Sequence, residues 1–110
     1  FPFARLGNQE PAGRPSLGVA AVSVTPQLAF ANNFPAEHGT LVVRVERGGP
    51  AEVAGLQVDD IITTFAGQRV RDLHHLHALL ARRAPGESVE VTILRDGETL
   101  VMSAVLTEER

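Results

Sequence analysis

Cysteine is missing from this 110-residue chain, and so are lysine, tryptophan and tyrosine. Without cysteine there can be no disulfide, no thiolate nucleophile and no cysteine-based zinc site, and the redox compartment is left open. Without tryptophan or tyrosine the usual platforms for stacking on bases are gone. The net charge is −3 and all ten basic residues are arginine, dispersed along the chain. That argues against a nucleic-acid partner, which calls for a basic patch. The arginine-only usage reads as genome composition bias. No apolar run approaches the roughly 18 residues of a bilayer span, so no transmembrane helix and no direct membrane insertion are expected. Phe1 opens the chain with no basic flank and no long apolar stretch, so no signal peptide is legible. The lack of an initiator Met suggests an excised fragment or a processed product. There is no internal repeat and no low-complexity tract.

What remains is ordinary for a globular domain: 44% hydrophobic and 21% charged residues. The length implies one domain, large enough to bury a core without metals or disulfides.

Residues 1–15, FPFARLGNQEPAGRP, hold three Pro and two Gly and read as a linker. Phe1, Phe3 and Leu6 are expected to pack loosely on the domain, or to touch a neighbouring one. A domain over 16–107 and a tail over 108–110 complete the division. Residues 16–25 are β-rich, with Val22 and Val24 on one face and Ser23 and Thr25 on the other. Pro26 stops that strand, and PQLAFANNF reads as a loop with room for one helical turn, closed by Pro35 and Gly39. A second strand covers 40–46, where Leu41, Val43 and Val45 alternate with Val42, Arg44 and Glu46.

Pro50 suits the first position of a short helix, 50–54, ended by Gly55. Residues 60–65 form a third strand, Ala66-Gly67 a turn, and 68–70 a short return strand. Asp72 is an N-cap candidate for a helix over 73–83. Its leucines 73, 76, 79 and 80 recur at spacings of three and four, and Arg82-Arg83 suit its C-terminal dipole. Strands 88–95 and 98–106 flank Asp96-Gly97, a strong hairpin signal. The order β, β, short α, β, β, long α, β, β predicts an α+β fold: a partly open barrel of five to six strands capped by one short and one long helix.

Catalytic motifs are lacking. There is no Gly-x-Ser-x-Gly elbow and no Gly-Asp-Ser-Gly segment. Glu37, Glu46, Glu52, Asp59 and Asp60 fall in loops, on a strand and at turns, where surface solvation accounts for them better than acid–base chemistry. His74 and His77, three apart, could share a metal, but the spacing is not His-Glu-x-x-His and no third ligand joins them. No metal and no cofactor are therefore expected. Two exposed histidines and one groove-lining His77 is the plain reading, and a pH-sensitive groove is a sharper one.

Four stretches carry a resemblance to PDZ domains, and within them to those of bacterial HtrA-type serine proteases, over about residues 14–106. Arg14-Pro15-Ser16-Leu17-Gly18-Val19 resembles the carboxylate-binding loop and the approach to it. Gly49-Pro50-Ala51-Glu52-Val53-Ala54-Gly55-Leu56, followed by Asp60-Ile61-Ile62, is similar to the family's most specific string. Asp59 stands where that string usually has Gly, and Asp tolerates left-handed geometry better than most residues. The Phe65–Val70 turn before the long helix, and Pro85-Gly86-Glu87-Ser88-Val89 leading to Asp96-Gly97, are the third and fourth. With the loop near the start and a strand over 99–106 closing the domain, the order resembles the circularly permuted bacterial form. In that form the last strand replaces the first strand of animal PDZ domains.

The resemblance implies peptide binding by strand addition. The backbone N–H groups of Leu17, Gly18 and Val19 would receive a terminal carboxylate. Residues 19–23, with Ala20 and Ala21 among them, would offer a strand edge. Leu73, His77 and Leu80 would wall the groove, with Leu76 at the core boundary and Leu79 in the core. Leu17, Val19, His77 and Leu80 would shape a pocket for an apolar last residue, and Leu73 an apolar preference at the third-from-last. Expected partners are C-terminal peptides or unfolded segments, and an attached protease domain whose catalytic residues lie outside this chain. The parent would be a periplasmic or cell-envelope serine endopeptidase. A site-2-type membrane metalloprotease, a C-terminal processing protease and a secretion scaffold are the alternatives. The charged end Glu108-Glu109-Arg110 suits an apolar pocket poorly, so a self-ligand is not expected.

Overall fold

A computed structural model describes residues 14–32 and 38–109. The expectations for Phe1, Phe3, Leu6, Pro35 and Glu37 fall outside those residues. Eleven elements follow in order: β1 (Arg14–Ser16), β2 (Val19–Ser23), α1 (Pro26–Asn32), β3 (Thr40–Val45), α2 (Pro50–Ala54), β4 (Ile61–Phe65), β5 (Gln68–Arg69), α3 (Leu73–Ala81), β6 (Ser88–Arg95), β7 (Glu98–Val105) and β8 (Thr107–Glu109).

Most expected elements form, and local chemistry explains their ends. Pro50 opens α2, and Gly55, at φ 107°, closes it in left-handed geometry. The Asp72 carboxylate accepts the His75 N–H at 2.8 Å and caps α3. Asp96 and Gly97 both take positive φ, 53° and 81°, and join β6 to β7 with Arg95 opposite Glu98. Asp59 takes φ 81°, so the left-handed turn survives where the family pattern has Gly.

Six antiparallel strands make the main sheet, in the order β2-β3-β4-β6-β7 with β5 paired to β4 off that path. It remains open. Phe65, Ile62, Ile93, Val42, Val91 and Leu106 are at most 1% exposed and form the core under α2 and α3. Each such side chain contributes roughly 1.5–3 kcal/mol by leaving water. Val24, Ala29 and Ile61 make a smaller second cluster.

Several expectations need correction. The 26–34 loop contains a seven-residue helix, α1. Thr25 builds it: its Oγ1 accepts the Leu28 N–H at 3.0 Å, its carbonyl accepts the Ala29 N–H, and Ala29 is buried beneath. Helices therefore number three, not two, among the described residues. Val22 and Val24 do not share a face. The strand ends at Ser23, so Val24 turns inward to 2% exposure while Val22 stays 41% exposed. The alternation expected in 40–46 also breaks. Ala20 pairs with Arg44 and Ala21 with Val42, so Val43 is the extra residue of a bulge. Val42 is then buried, and Val43 and Arg44 both face outward. Asp60 is not a solvated turn residue but is 1% exposed.

The closing strand forms as expected, and a further short strand follows it. Residues 98–105 pair with β6, and Thr107–Glu109 returns to pair with Arg14–Ser16 in a separate two-stranded sheet. The end of the expected linker and the start of the expected tail thus lie side by side.

Candidate functional site

β2 ends the main sheet, and among the described residues it pairs only with β3. Its other edge faces α3. Between them runs a groove of about 300 Å³ lined by Leu17, Gly18, Val19, Ala20 and Ala21 on the strand side, with Ser16 at its end. Leu73, Leu76, His77 and Leu80 line the helix side. All nine residues expected at the site from the sequence meet here. Their depths differ: Leu17 and Leu76 are each 3% exposed and form the floor, Val19, Ala21, Leu73 and Leu80 are half-buried walls, and Ala20 and His77 are exposed. Leu79 turns into the core.

Two backbone constraints set the groove's closed end. Gly18 has φ 78°, and a Cβ there would lie 3.2 Å from Pro50 Cδ and 3.3 Å from Glu46 Oε1. Both its conformation and its crowding favour glycine. Its carbonyl accepts the Glu46 N–H at 2.9 Å, and the Leu17 carbonyl accepts the Ala51 N–H at 2.9 Å. The loop is therefore tied to β3 and to the first turn of α2. The Gly18 N–H donates to Ser16 Oγ at 3.2 Å.

One hydrogen bond ties the two walls of the groove together, between residues 50 apart. The Leu73 N–H, at the free start of α3, donates to Ser23 Oγ at 2.9 Å. Sequence reasoning placed Ser16 in the loop stretch and Ser23 in the strand edge, but foresaw neither hydrogen bond. A serine flanking a strand carries no signal of which distant N–H it will meet.

The histidines do not converge. His75 Nδ1 accepts the Arg71 N–H at 3.1 Å, which turns that ring back toward its own helix start. His77 is exposed at the groove. Among the described residues, no three side chains of His, Asp or Glu are placed to hold a metal ion. No described helix is long and apolar enough to cross a membrane.

The ionic pairs lie away from the groove. Asp60 accepts Arg95 Nε on Oδ1 at 2.9 Å, Arg95 Nη2 on Oδ2 at 2.8 Å, and the Gln57 N–H at 2.8 Å. Arg95 also donates to the Gly55 carbonyl at 2.8 Å. Hydrogen bonding to Asp60 raises the Arg95 pKa further above its ordinary value, against desolvation. One buried carboxylate thus joins the end of α2, the turn after it and β6.

The PDZ domain family model matches residues 15–106. Among curated proteins, the chain is 33% identical over 92 residues to a probable periplasmic serine endoprotease, DegP-like, of Chlamydia trachomatis, covering 84% of this chain and 18% of that protein. It is 35% identical over 83 residues to a probable periplasmic serine protease, do/HhoA-like, of Haemophilus influenzae, covering 76% and 18%. The chain thus spans about a fifth of the length of these relatives. Among solved structures, the HtrA-type protease AlgW with a decapeptide matches at TM-score 0.81 and 31% identity, over 89% of this chain and 30% of that one. The HtrA3 PDZ domain bound to a phage-derived ligand matches at TM-score 0.73 over 84% of this chain and 85% of that one, and at 22% identity it supports the fold. The chain belongs to the PDZ domain family, and its relatives within that family are HtrA-type serine proteases.

Proposed function

We propose that this domain captures C-terminal or exposed apolar peptide segments by strand addition, and that it thereby targets or regulates an attached serine endopeptidase. The observation that carries this is the unpaired edge of β2 facing α3, with the Leu17–Val19 loop at its closed end. An edge strand presents a row of unpaired N–H and C=O groups, which an extended peptide can satisfy. The peptide runs antiparallel to Val19–Ser23. Its terminal carboxylate takes the N–H groups of Leu17, Gly18 and Val19, displacing Ser16 Oγ from the Gly18 N–H. Its last side chain enters the pocket of Leu17, Val19, Leu76, His77 and Leu80, which suits Val, Leu, Ile or Phe. Leu73 faces the third-from-last residue and favours an apolar one there.

The likeness to a protease solved with a decapeptide supports the peptide reading. The curated relatives support a periplasmic parent with serine endopeptidase activity, the catalytic residues lying outside this chain. They also favour that parent over a membrane metalloprotease, a C-terminal processing protease or a secretion scaffold.

Fluorescence titration with matched peptides ending in Val tests the binding mode. The free acid is expected to bind with an affinity on the order of micromolar, because a short peptide must be ordered on binding. The C-terminal amide should bind roughly tenfold more weakly, since charge-assisted hydrogen bonds are lost. Equal affinities would sink the carboxylate role. In a C-terminal peptide library, Ser/Thr enrichment at the third-from-last position would sink the role given to Leu73. The purified domain should hydrolyse none of these peptides.

A further inference from the structure

On the face of β2 away from α3 lies a second recess of about 190 Å³, lined by Ser16, Gly18, Val19, Ala20, Arg44 and Glu46. We propose that it is a charge-reading subsite in which Arg44 selects peptides with an acidic residue next to the last. The inference rests on the strand-addition reading above and concerns a different face of the same strand.

The argument is one of strand alternation. Successive side chains of an added strand point to opposite faces. If the last residue points between β2 and α3 beside Val19, the penultimate one stands beside Ala20 and points to the outer face. Ala20 pairs directly with Arg44 on β3. Ala20 carries only a methyl group, so nothing there blocks the long Arg44 side chain from reaching across β2 toward the ligand. Arg44 is exposed, and among the described residues its guanidinium has no hydrogen-bond or ion-pair partner. Among the described residues it is a cation without a partner on the outward face that a bound peptide would share.

Glu46 lies two residues beyond Arg44, just past the end of β3, and its Oε1 is 3.3 Å from where a Gly18 Cβ would stand. That sets its carboxylate against Gly18, beside the loop proposed to take the ligand's terminal carboxylate. The two charges have separable effects. Arg44 discriminates among penultimate residues, and Glu46 weakens every free-acid peptide alike.

Three peptides ending in Val and differing only in a penultimate Glu, Gln or Lys test this by titration at low ionic strength. The intact domain is expected to bind Glu best and Lys worst, with about a fivefold spread, as for an exposed ion pair. The spread should shrink as salt is raised. Arg44→Ala should abolish the order and Arg44→Glu should reverse it. Glu46→Gln should tighten all three to a similar extent. Binding without charge preference, or a preference that survives Arg44→Glu, would overturn the subsite while leaving strand addition intact. Failure of all three peptides to bind would overturn both readings.

Discussion

Asp60 shows how one residue can hold three elements together. It is 1% exposed, yet every oxygen is occupied, by two Arg95 nitrogens and the Gln57 N–H. Removing one partner of a buried pair leaves the other uncompensated, which costs more than the pair contributes. Asp60→Ala is therefore expected to lower unfolding free energy by about 3 kcal/mol, measurable by urea denaturation. Loss of less than about 1 kcal/mol would mean that water replaces the carboxylate. Gly39 is a second fixed residue: at φ 118°, a Cβ would lie 2.7 Å from the Ile62 carbonyl oxygen. The surrounding string pointed to the turn, and the αL tolerance of Asp at 59 was legible too. The burial of Asp60 was not, because its partner Arg95 lies 35 positions away.

At the scale of the elements, α3 is both a wall of the groove and a cap on the core. Its leucine spacing made the two faces readable: Leu76 and Leu79 are buried, and Leu73 and Leu80 are half-buried at the groove. Its start depends on Asp72 from its own chain neighbourhood and on Ser23 from β2. Its end is followed by Arg83, whose Nη1 donates to Glu87 Oε2 at 2.8 Å. The Arg83 hydrogen bond, followed by the Ala84 N–H, holds the Glu87 carboxyl below its ordinary range. A depressed carboxylate pKa stabilises the fold above the unfolded-state value, and that contribution is lost as pH falls through the folded one. Thermal unfolding of wild type and Glu87→Gln should therefore differ at neutral pH, with wild type the more stable, and converge in acid below the usual glutamate range. A constant gap across that range would refute the ionic origin. The sequence placed these two residues at a helix end and a turn. It could not say that they meet, since the geometry of the turn decides it.

For the whole molecule, the decisive feature is that the first and last described strands pair. Arg14–Ser16 and Thr107–Glu109 form their own two-stranded sheet, immediately before the Leu17–Gly18 loop. Truncation after Leu106 removes that clamp while leaving the main sheet whole. Amide hydrogen exchange at Ser16, Leu17 and Gly18 is then expected to speed up by about five- to thirtyfold, for roughly 1–2 kcal/mol of lost local pairing. Protection at Ile62 and Val91 should hold. Unchanged exchange at the loop would show that Glu46 and Ala51 suffice to fix it.

The amino-acid sequence by itself determined the order of the longer elements, though not α1, β1 or β8, together with the two faces of α3, the α2 and hairpin turns, and the family. Each of these depends on interactions within a few residues, where spacing and Gly, Pro or Asp chemistry are enough. The resemblance pointed to the strand-side residues of the groove, and helical spacing, which is local, chose the α3 residues that face it. Tertiary structure alone decided the rest. The bulge at Val43 turns Arg44 outward opposite Ala20, Ser23 reaches across 50 positions to the start of α3, and β8 returns to β1. Those features come from the pairing of distant strands, and one residue of register exchanges the buried face for the exposed one.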